Sequence, residues 1–145
     1  MKLIIISVIL SAILFGCKKS NPSSHDPDPA IKMIVGKWKR VAYEKTVNGK
    51  KTWEEVDKDS QYNFMIFRYD GVILDSNGLP SCCAPAQYYV NGVVFKVVPK
   101  SEVPVNPSCA FVDCVGCASW NIEQTGNELI LELCLNFPRS KFVRV

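Results

Sequence analysis

The sequence predicts an all-β domain, and two observations lead to that prediction. From residue 35 onward apolar and polar residues alternate with a period of two, which is typical of half-buried strands, and no convincing helical stripe interrupts the pattern. The alternating runs are separated by dipeptides that favour tight hairpin turns, namely Asp70-Gly71, Asn91-Gly92 and Gly126-Asn127. Sequential hairpins of this kind suit either a β-sandwich or a closed barrel.

The alternation and the turn signals together predict eight strands, joined by charged or proline-rich loops. A short turn at residues 30–35 precedes the first strand. The predicted strands cover residues 36–45, 61–69, 72–76, 86–90, 93–98, 118–124, 128–135 and 140–145.

Two of the hairpins predict which residues face each other, because a two-residue turn fixes the register of the ladder. Around Asn91-Gly92 the facing pairs are Val90–Val93, Tyr88–Phe95 and Ala86–Val97. Around Gly126-Asn127 they are Ile122–Leu131, Trp120–Leu133 and Ala118–Leu135. In both hairpins the large apolar side chains fall on one face, which is the face expected to be buried.

The chain begins with a pattern typical of an exported lipoprotein. Leu3 to Phe15 is an apolar run after Lys2, too short for the roughly 20 residues of a membrane-spanning helix, so residues 1–16 are expected to be a signal peptide rather than an uncleaved anchor. Gly16-Cys17 resembles the lipobox of bacterial lipoproteins. The resemblance implies that Cys17 carries acyl chains such as palmitate, which anchor the protein in the cell envelope, at the outer membrane and facing the periplasm or the surface.

Residues 17–30 are expected to form a flexible tether, because they are polar and contain three prolines. The single histidine, His25, lies in this tether, so the domain at 31–145 has no imidazole for Ser-His or Cys-His catalysis or for a His-ligated metal. We therefore expect no enzyme activity and no cofactor. A net charge of +3 gives no reason to expect a nucleic-acid partner.

Three short motifs resemble those of lipocalin-like domains. They are Gly36-Lys37-Trp38 at the first strand, Phe67-x-x-Asp70-Gly71 at the second, and Lys141-Phe142-Val143-Arg144 at the last. The resemblance implies an eight-stranded antiparallel up-and-down barrel. It also implies that the first and last strands pair, with Arg144 packed over Trp38 to close the barrel. A Cys-rich loop insertion at residues 79–117 departs from the family pattern.

Six cysteines besides Cys17 are expected to form three disulfides, because an exported domain folds in an oxidising compartment. Cys117 and Cys134 fall diagonally across one outward face in the predicted register and could pair. The remaining candidates, Cys82, Cys83, Cys109 and Cys114, would then join two long loops. A redox Cys114-Val-Gly-Cys117 motif and a thiolate metal site are the alternatives, and an oxidising compartment favours neither.

An acidic segment offers a further candidate. Glu54, Glu55, Asp57 and Asp59 could form a cation site or a carboxylate pair for acid–base chemistry, although a solvated charged face explains them better.

Six apolar residues could line a ligand cavity inside the barrel, or could equally fill it as core: Phe67, Tyr88, Phe95, Trp120, Leu131 and Leu133. The first alternative makes the protein a carrier of a small, apolar ligand. The second makes it a filled scaffold whose disulfide-stapled loops bind an envelope protein or inhibit an enzyme.

Overall fold

The computed structural model describes residues 26–57, 60 and 63–145. The predicted signal peptide, Cys17, most of the tether and Asp59 lie outside the described residues. Within them the chain forms nine strands and one short 3-10 helix, Pro107–Phe111. The strands are β1 (Gly36–Val47), β2 (Lys50–Glu55), β3 (Phe64–Phe67), β4 (Ile73–Leu74), β5 (Gln87–Val90), β6 (Val93–Lys96), β7 (Trp120–Thr125), β8 (Glu128–Glu132) and β9 (Ser140–Arg144).

The strands form a single, strongly curled sheet in the order β4-β3-β1-β9-β8-β7-β5-β6, and β2 pairs with the later half of β1. The all-β prediction is confirmed. The prediction of a strictly antiparallel, closed barrel is wrong, because β5 and β7 run parallel and β4 and β6 are not paired with each other in the described part of the chain. The physical reason is the cystine-rich connection at residues 97–119, which is long enough to bring β7 back beside β5 in the parallel direction.

The predicted hairpin registers are confirmed close to the turns. Tyr88 faces Phe95 in β5 and β6, and Ile122 faces Leu131 in β7 and β8. Further from the second turn the prediction is wrong, because β8 ends at Glu132 and the ladder does not reach Leu133 or Leu135. The chain turns away there through Asn136, whose φ is 70°, and it leaves Ala118 and Leu135 exposed.

The end of the half-barrel where the chain enters is covered by a short turn. Ile31 and Ile34 of this turn are fully buried against the core, and the indole of Trp38 donates a hydrogen bond to the Ile34 carbonyl at 2.7 Å. The Arg144 guanidinium lies 4.3 Å from the centre of the Trp38 ring and donates to the Val35 carbonyl at 2.9 Å. β1 and β9 do pair here, but they meet within the sheet, so their contact is not the closure of a barrel.

Side chains rather than strand pairing hold the open side of the half-barrel. The Tyr88 hydroxyl donates to the carbonyl of Gly71, in the turn between β3 and β4. Arg68 and Asp70 of the same turn form an ion pair at 2.7 Å, and Asp70 accepts a hydrogen bond from the Lys100 backbone amide at 2.8 Å. These contacts bind the start of the cystine-rich connection to the β3–β4 turn.

Candidate binding cleft at the cystine loops

The interior of the sheet is occupied by aromatic rings. Tyr88 is fully buried, and its ring centre lies 6.0 Å from that of Phe67, 6.1 Å from that of Phe95 and 6.4 Å from that of Trp120. Burial raises the pKa of the Tyr88 hydroxyl. Leu131 belongs to the same buried cluster, whereas Leu133 lies outside it and is partly exposed. Five of the six cavity candidates therefore pack against one another as core.

Three disulfides join the cystine-rich connection to two other loops, the one between β4 and β5 and the one between β8 and β9. They are Cys82–Cys109, Cys83–Cys114 and Cys117–Cys134, with Cα–Cα distances of 5.0, 5.4 and 5.5 Å. The expected pattern of three bridges is confirmed. The alternative of a redox pair within Cys114-Val-Gly-Cys117 is wrong, because each of these cysteines is bonded to a different partner. Across residues 26–57, 60 and 63–145, no three His, Cys, Asp or Glu side chains are grouped as a metal site requires.

An apolar cleft of about 230 Å³ opens between the disulfide loops and the ends of β7 and β8. We call it the cystine cleft. β7 contributes the edge of Trp120, the chain after β8 contributes Leu133 and Phe137, and the Cys117–Cys134 bridge lies between them. The cystine cleft is lined by Cys83, Val115, Cys117, Trp120, Leu133, Cys134 and Phe137.

The loops around the cystine cleft expose further apolar side chains. Phe111 is 91% exposed, Leu135 78% and Val115 67%. Apolar groups concentrated on one surface indicate an interaction site more often than apolar groups scattered singly.

The cystine cleft lies at the end of the half-barrel opposite the entering chain. Trp38 in β1 pairs with Arg144, and Glu128 at the start of β8 pairs with Val143, so both lie near the entry turn. Trp120 and Leu133 both lie at the end of the β7–β8 hairpin that is remote from its turn. This end is some five residues, or about 17 Å, further along the strands. The cystine cleft is therefore remote from the point near Ile31 where the chain enters the half-barrel.

A second pocket adjoins the cystine cleft and shares Phe137 with it. We call it the hairpin pocket; its volume is about 390 Å³, and it is lined by Tyr43, Glu44, Lys45, Thr46, Lys51, Asn136, Phe137 and Pro138. Glu44 is the buried titratable group here and is only 5% exposed. Its carboxylate accepts hydrogen bonds from Arg139 at 2.8 Å and from Lys51 at 3.0 Å. The bond from Arg139 is the main cause that lowers the pKa of Glu44 to about 2.

The acidic residues Glu54, Glu55 and Asp57 singled out in the sequence do not line this pocket and are not gathered into one site. Glu54 forms an ion pair with Lys45 at 2.7 Å, and hydrogen bonding to Lys45 lowers the pKa of Glu54. Glu55 faces Ala42 across the β1–β2 ladder, and the Asp57 carbonyl accepts a hydrogen bond from Asn63. The sequence did not single out Glu44, because a glutamate in an alternating strand gives no sign of burial.

Comparison with protein-family models, with curated proteins and with solved structures finds no match for this chain. The resemblance to lipocalin-like lipoproteins stays a prediction. In the part of the chain that the structure describes, no helical segment combines the length and the apolar character needed to span a membrane.

Proposed function

We propose that this chain is a lipid-anchored envelope protein that binds a protein partner at the cystine cleft. The observation that carries the proposal is an apolar cleft built by disulfide-stapled loops, with the exposed side chains of Val115, Leu133 and Phe137 among its lining. The apolar run before Cys17 supports the lipid anchor, and three disulfides support an oxidising compartment. In this proposal the curled sheet is a filled scaffold and catalyses no reaction.

The size of the cystine cleft favours a side chain of a larger partner over a free small molecule. At about 230 Å³ it is smaller than the roughly 300–1,000 Å³ typical of small-molecule sites. Protein interfaces, in contrast, commonly depend on one aromatic or aliphatic side chain that fills a pocket, with near-neutral contacts around it. Val115 lines the cleft and is 67% exposed, so it is available for such contacts.

The position of the cleft agrees with this role. A lipid at Cys17 would hold the domain by its entry end, and the cystine cleft lies at the end remote from that attachment. Extended fully, a tether of residues 17–30 reaches about 40 Å, at roughly 3.3 Å per residue. The cleft could therefore meet a partner well beyond the lipid headgroups.

The alternative of a small apolar ligand inside the sheet has less support. The Tyr88 ring fills the centre together with Phe67, Phe95 and Trp120, and Tyr88 is fully buried. A ligand would have to displace packed side chains, whereas the cystine cleft requires no such displacement.

Site-specific photo-crosslinking in the source cells tests the proposal. Val115→p-benzoylphenylalanine places the crosslinker at the cleft, and Val94→p-benzoylphenylalanine is the matched control on the exposed face of β6. We expect one discrete crosslinked protein from position 115, none from position 94, and loss of the product when Leu133→Asp is added. The proposal is overturned if position 115 gives no product, or gives one that persists with Leu133→Asp in a chain that still folds.

A further inference from the structure

The cystine cleft and the hairpin pocket together form two neighbouring compartments of different chemistry. Phe137 lines both and stands between them. The cystine cleft is lined by apolar groups and sulfur, which favour an aromatic or aliphatic side chain. The hairpin pocket is lined by Tyr43, Thr46 and the charged groups around Glu44. A partner that crosses Phe137 would therefore meet an apolar compartment and then a charged one.

The charges that meet at Glu44 are unequal. Arg139 and Lys51 both donate to this carboxylate, so two cations share one anion. Lys51 is the accessible cation, since its side chain is 64% exposed, and its ammonium group has further donors beyond the one used on Glu44. Lysine ammonium groups with free donors in a concave site are suited to bind a carboxylate.

The charged residues that line the hairpin pocket are Glu44, Lys45 and Lys51. Lys45 forms an ion pair with Glu54 at 2.7 Å, and its side chain is 52% exposed. Arg139 does not line the pocket, nor do Glu123 and Glu132, which act on Arg139 through space. Lys51 is therefore the more exposed of the two lysines at the pocket, with 64% of its side chain exposed.

We propose that the partner presents an extended peptide segment with an apolar side chain in the cystine cleft and a carboxylate, a few residues away, at Lys51 in the hairpin pocket. This inference rests on the proposed function and adds the chemical class of the segment recognised. An extended chain fits because it can pass over Phe137 and send one side chain to each side of it. The volumes of about 230 and 390 Å³ each accommodate single side chains.

Peptide binding to the mature chain tests the inference, with Cys17→Ser to keep the protein free of lipid. Dye-labelled peptides carry one tryptophan followed, after one to three glycines, by glutamate, glutamine or lysine, and binding is measured by fluorescence polarisation. We expect the best glutamate peptide to bind about three- to tenfold more tightly than its lysine counterpart, as a partly screened ion pair allows. Replacing the tryptophan by serine should abolish binding.

Two neighbouring lysines provide the matched variants. Lys51→Gln should remove the preference for glutamate, and Lys51→Arg should restore it, whereas Lys50→Gln should leave it unchanged because Lys50 does not line the pocket. Each variant is checked by thermal unfolding, so that a loss of preference is not a loss of fold.

The outcomes separate the two proposals. Tryptophan-dependent binding without a preference for glutamate, or a preference that survives Lys51→Gln, overturns the inference and leaves the proposed function standing. If none of the peptides shows binding that depends on tryptophan, whatever the spacer length, both the inference and the proposed function are overturned. Dodecanoate that binds at the same residues as tightly as the best peptide would show that a free alkyl carboxylate is the ligand, and would overturn the peptide inference.

Discussion

Glu44 is held as a carboxylate by its neighbours. Arg139 and Lys51 donate to its two oxygens, and the hydrogen bond from Arg139 is the main cause that lowers its pKa to about 2 from 4.5. A depressed pKa in the folded state contributes stability that is present above the unfolded value and is lost as the pH falls towards the folded value. The contribution of Glu44 is therefore full above about pH 4.5 and disappears towards pH 2.

This linkage predicts a pH-dependent effect of Glu44→Gln. The variant should be less stable than the parent at pH 6, and the difference should shrink between pH 4.5 and pH 2, because the parent alone loses the charged contacts of Glu44. Urea unfolding at several pH values measures it. Glu128→Gln is the control, since Glu128 is half exposed and faces Lys141 at 3.3 Å. If the stability difference between Glu44→Gln and the parent does not change with pH, the lowered pKa assigned to Glu44 is contradicted.

At the scale of single elements, the hairpins show what the sequence could and could not predict. Asn91-Gly92 and Gly126-Asn127 fixed their registers because the turn alone sets the pairing of the adjacent residues. The β1–β2 hairpin was missed although Asn48-Gly49 offers the same signal, with φ values of 52° and 75°. The residues that flank this turn are mostly polar or charged, so no apolar alternation marked β2 as a strand.

The parallel pairing of β5 with β7 and the cystine cleft could not be predicted from local pattern. Strand order depends on the path of the connection at residues 97–119, and no local rule specifies that path. The three disulfide pairs could be predicted in outline, because two adjacent cysteines had to reach two distant ones. The cystine cleft could not be predicted, because it depends on how Val115, Leu133 and Phe137 are placed relative to one another. These residues belong to different loops.

The three disulfides should differ in how much they contribute to peptide binding. Replacing both Cys117 and Cys134 by serine removes a bridge of sequence separation 17 and should lower the free energy of unfolding by about 2–4 kcal/mol. It should also weaken peptide binding, because this bridge lines the cystine cleft. Denaturant unfolding and peptide titration measure the two effects.

The control for this pair is the double serine variant of Cys82 and Cys109, whose bridge does not line the cleft. Its stability should fall by a similar amount while binding persists in the fraction that stays folded. Equal loss of binding in both variants would mean that the cystine cleft has no particular role.

At the scale of the whole molecule, the proposed lipid anchor predicts how the chain is processed. Cys17→Ala should abolish labelling by an alkyne fatty acid and leave the precursor uncleaved, because the thiol proposed to carry the lipid is gone. Labelling in cells followed by gel analysis measures both effects, and Cys82→Ser serves as the control for loss of a cysteine elsewhere. Labelling that persists in Cys17→Ala would place the lipid on another residue and contradict the anchor.

The central claim is that apolar groups bind at the cystine cleft and not within the sheet. Titration of the ¹⁵N-labelled protein with indole, followed by amide chemical shifts, tests it most directly. We predict saturable shifts at Val115, Leu133 and Phe137, with Val90 and Phe142 of the buried core unchanged. Saturable shifts centred on the buried core, or no saturable shift at the cleft residues, would contradict the claim.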